Sequence, residues 1–273
     1  VALLPDGLSL GPCPGRCARR ALADAVTGFM GIARPGRAIG PDAEDIEEDE
    51  MDRPADDGAP LKLREKAYDS FTQHLLARNV RPGQFISQRE LVALTDLPLG
   101  AIRELIPRLE AEGLIKTVPQ RGMQVAHLDL NLIRDAFQFR LFMERGAMDL
   151  FVQSASDETL AALRRQHEDV LARAEAEGDT PEIVAEGQAV DWGFHDMLID
   201  ALGNEIIAKA YRVNSIKIRL IRQELVRIDG LVAPVMREHL GIIAAMETRD
   251  PQQAVAALSA HIDNARNRAL GLR

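Results

Sequence analysis

The sequence predicts a mainly α-helical protein, with an N-terminal winged helix-turn-helix followed by an all-α antiparallel helical bundle. Three observations predict it. Between residues 61 and 127, three helix-periodic apolar runs are separated by turn signals and followed by two short β-prone runs. From 128 to 270 the apolar period is helical throughout, with capping residues at the breaks and no strand pattern. The charge is also uneven. The chain carries a net −9, but Lys62 to Arg121 holds ten Lys/Arg against seven Asp/Glu, a balance of +3 that leaves the remainder at −12.

In the first domain, Leu63, Ala67, Phe71 and Leu75 recur every fourth residue, with Tyr68 and Leu76 widening the stripe into an amphipathic helix that Pro82-Gly83 closes. Ser87 is placed to cap a second helix, with Glu90 as its capping-box partner and Leu91, Val92 and Leu94 on the apolar side. Asp96-Leu97-Pro98 breaks the chain and sets Pro98 in the first turn of a third helix, which buries Ile102, Leu105, Ile106 and Leu109 and ends near Gly113. The runs Leu114 to Val118 and Met123 to Ala126, joined by Pro119-Gln120-Arg121-Gly122, form a small hairpin.

A DNA major groove is just wide enough for one helix, and the outer face of the third helix is free to enter it. Arg103 on that helix and Arg89 on the one before can reach phosphates or guanine edges. Arg121 and Gly122 give the wing tip a cation and a residue that lets backbone N–H approach a phosphate. The competing reading is a small helical module with ordinary solvated charges.

The flanking segments add bounds. Residues 1–60 are rich in Gly, Pro, Ala and Arg, then acidic from Pro41 to Asp57, and are expected to be disordered because little patterned apolar surface offsets their ordering entropy. A start at Met51 and a genuine unstructured extension both fit this segment. Arg16, Arg19 and Arg20 beside an apolar stretch resemble a targeting signal, but they lie far from the first residue and no export-type domain follows. Cys13 and Cys17 form a single Cys-x3-Cys pair, from which neither a disulfide nor a metal site is expected. No apolar run approaches the ~18–20 residues that cross a bilayer. The net acidity excludes indiscriminate coating of nucleic acid, and a cytoplasmic protein is expected.

In the bundle, Asp129 caps a helix whose apolar positions (Leu132, Ile133, Phe137, Leu141, Leu150 among them) run almost all round, which predicts a central place. Ser156 and Thr180-Pro181 open the next two helices, and Gly203-Asn204 ends the second of these. Further helices are expected from about Glu205 to Arg227 and Val232 to Thr248, and a last one from Asp250-Pro251 to Leu270. Asp191 and His195, four apart, project from one helix face, and His239 and His261 sit among apolar neighbours on two later helices. Burying these groups is costly unless something satisfies them. A divalent ion (Zn, Mn, Ni or Fe) would do so. Separate hydrogen bonds from each histidine to backbone carbonyls would do so as well.

The run from Pro82 to Val125 resembles the DNA-binding domain of GntR-type bacterial repressors, through Pro82-Gly83, Arg89-Glu90-Leu91, Ile102-Arg103-Glu104, Leu109-Glu110, Glu112-Gly113-Leu114-Ile115 and Arg121-Gly122. The resemblance implies that Arg89, Arg103 and Gly122 contact operator DNA. Pro98-Leu99 stands where that family usually opens its recognition helix with Ser-Arg or Thr-Arg, so one base-reading arginine is missing. The bundle is similar to the FCD effector-binding domain of the FadR branch, through Arg140, Glu144, Ala147, Asp191-x3-His195, Gly203-Asn204, Glu238-His239-x2-Ile242, Asp250, Ala254 and His261. That similarity implies a metal held by Asp191, His195, His239 and His261, with a carboxylate metabolite completing the site. Around a six-coordinate ion two places stay open, which a hydroxy-acid or sugar-acid carboxylate would fill. Arg140 and Arg219 are the candidates to grip it, and Asn214 to donate to a ligand hydroxyl. Arg140 has an alternative role in an i,i+4 pair with Glu144.

The expected function is therefore a ligand-responsive, homodimeric transcription regulator that binds double-stranded operator DNA, an inverted repeat, and a small carboxylate effector. The alternative is a metal-dependent hydrolase or lyase with a winged-helix docking module. Such an enzyme needs a general base beside metal-bound water, and Asp196 and Glu238, each next to a ligand in sequence, point about 100° away from it.

Overall fold

The computed structural model describes residues 58–225 and 231–272. Cys13, Cys17, Met51 and the expected tail lie outside the described residues, apart from its last three positions, which open the first helix.

Helices α1 (Gly58–Leu76), α2 (Gln88–Thr95) and α3 (Leu99–Ala111) pack with strands β1 (Phe85–Ile86), β2 (Ile115–Val118) and β3 (Gly122–Val125). The strands form one antiparallel sheet in the order β1-β3-β2, with Val118 opposite Gly122 and Ile86 opposite Met123. The predicted hairpin is β2–β3. Strand β1 was not foreseen, because two residues show no period. The capping box at Ser87 forms as expected, with the Glu90 amide 3.2 Å from the Ser87 hydroxyl and the Ser87 amide 2.7 Å from the Glu90 carboxylate. Pro98 is the N-cap of α3, one residue outside the turn predicted for it. Asp96, in the left-handed region at φ 54°, reverses the chain between α2 and α3. The core is Ala67, Phe71, Leu75, Leu91, Ile102, Leu105, Leu109 and Leu114, all essentially sealed. Leu63, expected on the buried stripe, is 37% exposed. The packed stripe begins only at Ala67, a turn further along.

The bundle comprises α4 (Leu130–Ser154), α5 (Asp157–Glu177), α6 (Pro181–Asp200), α7 (Glu205–Leu225), α8 (Val232–Glu247) and α9 (Pro251–Ala269). Its helix starts follow the sequence reading: Asp129, Ser156, Thr180 and Asp250 each accept a first-turn amide, and Pro181 and Pro251 occupy first-turn positions where no N–H is needed. Asn204 does not end α6. Its side chain accepts the amides of Ile206 and Ile207 and so opens α7, while α6 stops at Asp200 and Gly203 turns the chain at φ 61°. Helix α4 packs on α9, α7 and α6 along one side only. Phe142 and Leu150, on its other side, are 63% and 57% exposed, so the apolar positions that run almost all round this helix are not all buried. Phe137, Met148, Phe151, Leu198, Ile221, Ile243, Met246 and Leu258 interlock as the core.

Helix α7 belongs to both domains. Leu220 is buried in the winged-helix core, and Gln223 donates to the Leu76 carbonyl at the end of α1 (3.0 Å). Arg78 pairs with Glu224 (3.6 Å) and donates to the Gln223 carbonyl.

Candidate functional site

Asp191 and His195 stand one turn apart on α6, facing His239 from α8 and His261 from α9. All four are at most 3% exposed, and one ligand atom from each lies within 4.8 Å of the others. The His239 Nε2 is 3.3 Å from both Asp191 Oδ1 and His261 Nε2, and His195 Nε2 is 4.0 Å from Asp191 Oδ1. Phe194 stacks against the His239 ring at 4.7 Å and closes one side.

The outer nitrogen of each imidazole is fixed by a partner, and the partners determine where the protons sit. His195 Nδ1 lies 2.6 Å from Glu144, and His261 Nδ1 lies 2.7 Å from Glu238. A carboxylate accepts, so both Nδ1 atoms carry the proton. His167 Nδ1 lies 2.8 Å from the Leu163 carbonyl and must donate there, so its Nε2 accepts from His239 Nδ1 at 3.1 Å. His195 and His261 therefore turn bare Nε2 lone pairs inward, where His239 Nε2 lies 3.3 Å from a carboxylate oxygen of Asp191. Burial lowers the pKa of His195 to about 4 and, with His239 adding repulsion, that of His167 to about 4 and of His261 to about 3. His195 is thus hydrogen-bonded to Glu144 as a neutral ring rather than ion-paired with it.

The carboxylates are anchored in turn. Glu144 takes Arg140 Nε at 2.7 Å and the Tyr211 hydroxyl at 2.5 Å; burial opposes its charge, but Arg140 and His195 prevail and hold its pKa at about 2. Glu238 takes both Nη atoms of Arg268 at 2.8 and 3.1 Å, and against the same opposition His261 and Arg268 hold it at about 2. Asp191 Oδ2 accepts from Arg222 on α7. Burial opposes the charge on Asp191 too, and Arg222 and His239 outweigh it, keeping the pKa well below the ordinary value. Among the described residues, His195 Nε2 is buried without a hydrogen-bond partner, and Asp191 Oδ1 has only the His239 ring beside it at 3.3 Å. Buried polar atoms so sparsely partnered are rare, and these two point at the same spot. The donor set, three imidazole nitrogens and one carboxylate oxygen, each held from behind, fits a divalent transition metal.

A small cavity of about 10 Å³, room for roughly one water molecule, adjoins His195 and is lined by Arg140, Trp192, Asp196, Tyr211 and Arg219. Arg219 lies over the Trp192 ring at 4.5 Å and donates to Asp196 at 3.0 Å. Of the three residues picked out in the sequence for an effector, Arg140 and Arg219 meet here, with Arg140 also making its i,i+4 pair. Asn214 lies elsewhere and donates to the Ala136 carbonyl at 3.0 Å. Sequence reading missed His167, Glu238 as a partner of His261, Tyr211, Trp192 and Arg222. Leu163, His167 and Val170 share one face of α5 at helical spacing, which is the one signal that marked His167 as inward-facing.

On the winged helix, Arg89, Arg103 and Arg121 are exposed. Among the described residues, neither Arg89 nor Arg103 has an ion-pair partner, and Arg121 lies 4.7 Å over the Phe85 ring. Gly122 has a local reason of its own: at φ 91° an added Cβ would sit 3.1 Å from the Ile86 carbonyl oxygen, across the β1–β3 pairing.

Taken together, a winged helix with unpaired arginines on its outer face, joined through a shared helix to a bundle with a buried His/Asp centre, defines a two-domain DNA-binding regulator. Residues 63–125 match the bacterial regulatory proteins of the gntR family, and residues 135–264 match the FCD domain. The chain is similar to the Nta operon transcriptional regulator of Aminobacter aminovorans, with 31% identity over 183 residues, 67% of this chain and 82% of the relative. It is also similar to the HTH-type transcriptional repressor GlaR of Escherichia coli (strain K12), with 23% identity over 201 residues, 71% and 90% of the two chains. Among solved structures, a GntR transcriptional regulator from Rhodococcus sp. RHA1 has the same fold, with TM-score 0.63, 18% identity, and 78% and 99% of the two chains covered. The protein belongs to the GntR family of bacterial regulatory proteins, in the FadR-like branch that carries a C-terminal FCD domain. The matched relatives are transcriptional regulators, and the hydrolase or lyase alternative is set aside.

Proposed function

We propose that this regulator senses a small carboxylate metabolite through a divalent metal held in the FCD domain. In this reading Asp191, His195, His239 and His261 ligate the ion, which is Zn, Mn, Ni or Fe. Bound there, the ion supplies Lewis-acid coordination for an oxygen ligand. Arg140 and Arg219 border the small cavity beside His195 and attract a carboxylate. The observation that carries the reading is the convergence of three buried imidazoles and the Asp191 carboxylate, one ligand atom of each within 4.8 Å of the others.

The winged helix (61–127) reads operator DNA through Arg89, Arg103, Arg121 and the wing at Gly122, while the bundle (128–270) receives the ligand. Two copies on an inverted repeat give the usual geometry for paired half-sites. Exposed Phe142 and Leu150, eight residues apart on α4, offer an apolar strip for such a homodimer. Among the described residues no helix is long and apolar enough to cross a membrane. The shared helix α7 supports coupling between the domains, since ligand-dependent preference for one bundle arrangement biases the DNA-binding one. The experiment is metal analysis of the purified protein followed by operator titration with and without hydroxy-acids. Protein that neither contains nor takes up a divalent ion rules the reading out.

A further inference from the structure

Helix α3 turns its two faces to different surroundings. Ile102, Leu105 and Leu109 are sealed in the winged-helix core, and Leu97, just before the helix, packs against that core. Leu99, the first residue of the helix, is 40% exposed. It stands four residues before the exposed Arg103, so the two share the outer face one turn apart. That face therefore has a cation in its second turn and a large apolar side chain at its entry.

The neighbours of Leu99 add no hydrogen-bonding side chain. Pro98 and Gly100 are both exposed. Gly100 does not have a positive φ, and among the described residues nothing beyond its own helix comes within 4 Å of the place a Cβ would take. The fold thus has no need of a glycine there, and glycine is less favourable than alanine inside a helix. Pro98-Leu99-Gly100 presents an apolar surface of low relief at the N-terminal end of α3. This is the end from which a recognition helix meets base edges.

Of the four bases, only thymine shows an apolar group in the major groove, its C5-methyl. A leucine laid over a guanine, adenine or cytosine edge displaces water from polar atoms and offers no hydrogen bond in return. Laid against a thymine methyl, it buries one apolar surface with another. We infer that Leu99 is a specificity-determining residue, which reads the C5-methyl of a thymine in each operator half-site close to the base pair that Arg103 meets. The inference rests on the reading of α3 as the DNA-contacting helix.

The test begins with a library of random-sequence duplexes, from which the full chain selects its own sites. Each thymine of the enriched duplex is then replaced in turn by deoxyuridine, which removes the methyl and keeps the base pairing. Affinity is read by gel shift at fixed salt. At one position per half-site, uracil is expected to weaken wild type about 4-fold, the worth of one buried methyl group. The same replacement is expected to leave Leu99→Ala unaffected. Leu99→Arg, put through the same selection, is expected to prefer guanine at that position, since arginine pairs with the guanine O6 and N7. Uracil tolerated at every position, or weakening Leu99→Ala as much as wild type, overturns the assignment to Leu99. So does a Leu99→Arg protein that still selects thymine there. A selection that enriches no sequence overturns the operator reading beneath it.

Discussion

Arg222 donates to the buried Asp191 carboxylate, and the next residue, Gln223, donates to the Leu76 carbonyl of the winged helix. One turn of α7 thus holds both a proposed metal ligand and the end of α1. Anything that alters the Asp191 environment acts on the helix that anchors the DNA-binding domain.

Arg222→Met tests that link. Without metal, the substitution leaves Asp191 charged and alone at 1% exposure. Breaking a buried pair in this way costs ~3–5 kcal/mol. A bound divalent ion would replace the lost positive charge, so the penalty should shrink in Zn2+ and the variant should bind the ion more tightly than wild type. Urea unfolding in EDTA and in Zn2+, with a chelator competition, reads both effects. An equal penalty under the two conditions would count against the ion sitting at Asp191.

His239→Ala should abolish metal retention and effector response while operator binding survives. His239 comes from α8, so the ion would tie α8 to α6 and α9, and three ligands leave an incomplete shell. The winged helix keeps its own core of Phe71, Leu91, Ile102 and Leu109. Metal analysis and operator titration with and without hydroxy-acids check this. A metal-free variant that still responds would show that the ligand binds elsewhere.

The parts of this molecule that were legible in the sequence are those written in local spacing. Asp191 and His195 share a face because four residues make about one turn. Ser87, Ser156 and Asp250 cap helices because a short polar side chain can reach the next amides but a longer one cannot do so as well. The supporting shell is non-local. Arg222 meets Asp191 only because α7 crosses α6, and His167 meets His239 only because α5 lies along α8, and neither crossing has a sequence signature. For the same reason α4 reads as central when one of its apolar sides faces out at Phe142 and Leu150. Apolar periodicity says which side can be buried, and only packing says which side is.

Arg103→Ala and Arg89→Ala should each weaken operator binding by ~1–3 kcal/mol without unfolding the bundle, because both side chains are exposed and, among the described residues, have no ion pair to lose. By contrast, Arg108→Ala should act on stability. That guanidinium lies 3.7 Å over the Tyr68 ring and pairs with Glu65 and Glu112, at the base of α3. Gel shifts at fixed salt, with thermal melts alongside, distinguish the two outcomes. Unchanged operator affinity in both exposed variants would remove these arginines from the DNA contact.

Metal-free protein should lose stability on mild acidification, in two stages. His167 and His195 titrate at about 4 and His261 at about 3, against an ordinary value of 6.5, mainly because burial disfavours the charged ring. Between pH 6.5 and about 4 the unfolded chain therefore binds protons that the fold refuses. Each refused proton removes up to ~1.4 kcal/mol of stability per unit fall in pH. Glu144 and Glu238, held at about 2 in the fold against 4.5, contribute fully above pH 4.5 and lose that contribution only as pH falls from there toward 2. The carboxylates thus do not offset the first stage, and they deepen the second. Urea midpoints in EDTA from pH 7.5 to 4.5 should fall steadily below about 6.5. His167→Gln, whose amide can donate to Leu163 and accept from His239, should flatten the slope by removing one refused proton. A midpoint that stays level from pH 7 to 5 would mean that these rings take up protons as readily in the fold as in the unfolded chain, and the inward lone pairs of His195 and His261 would then not exist.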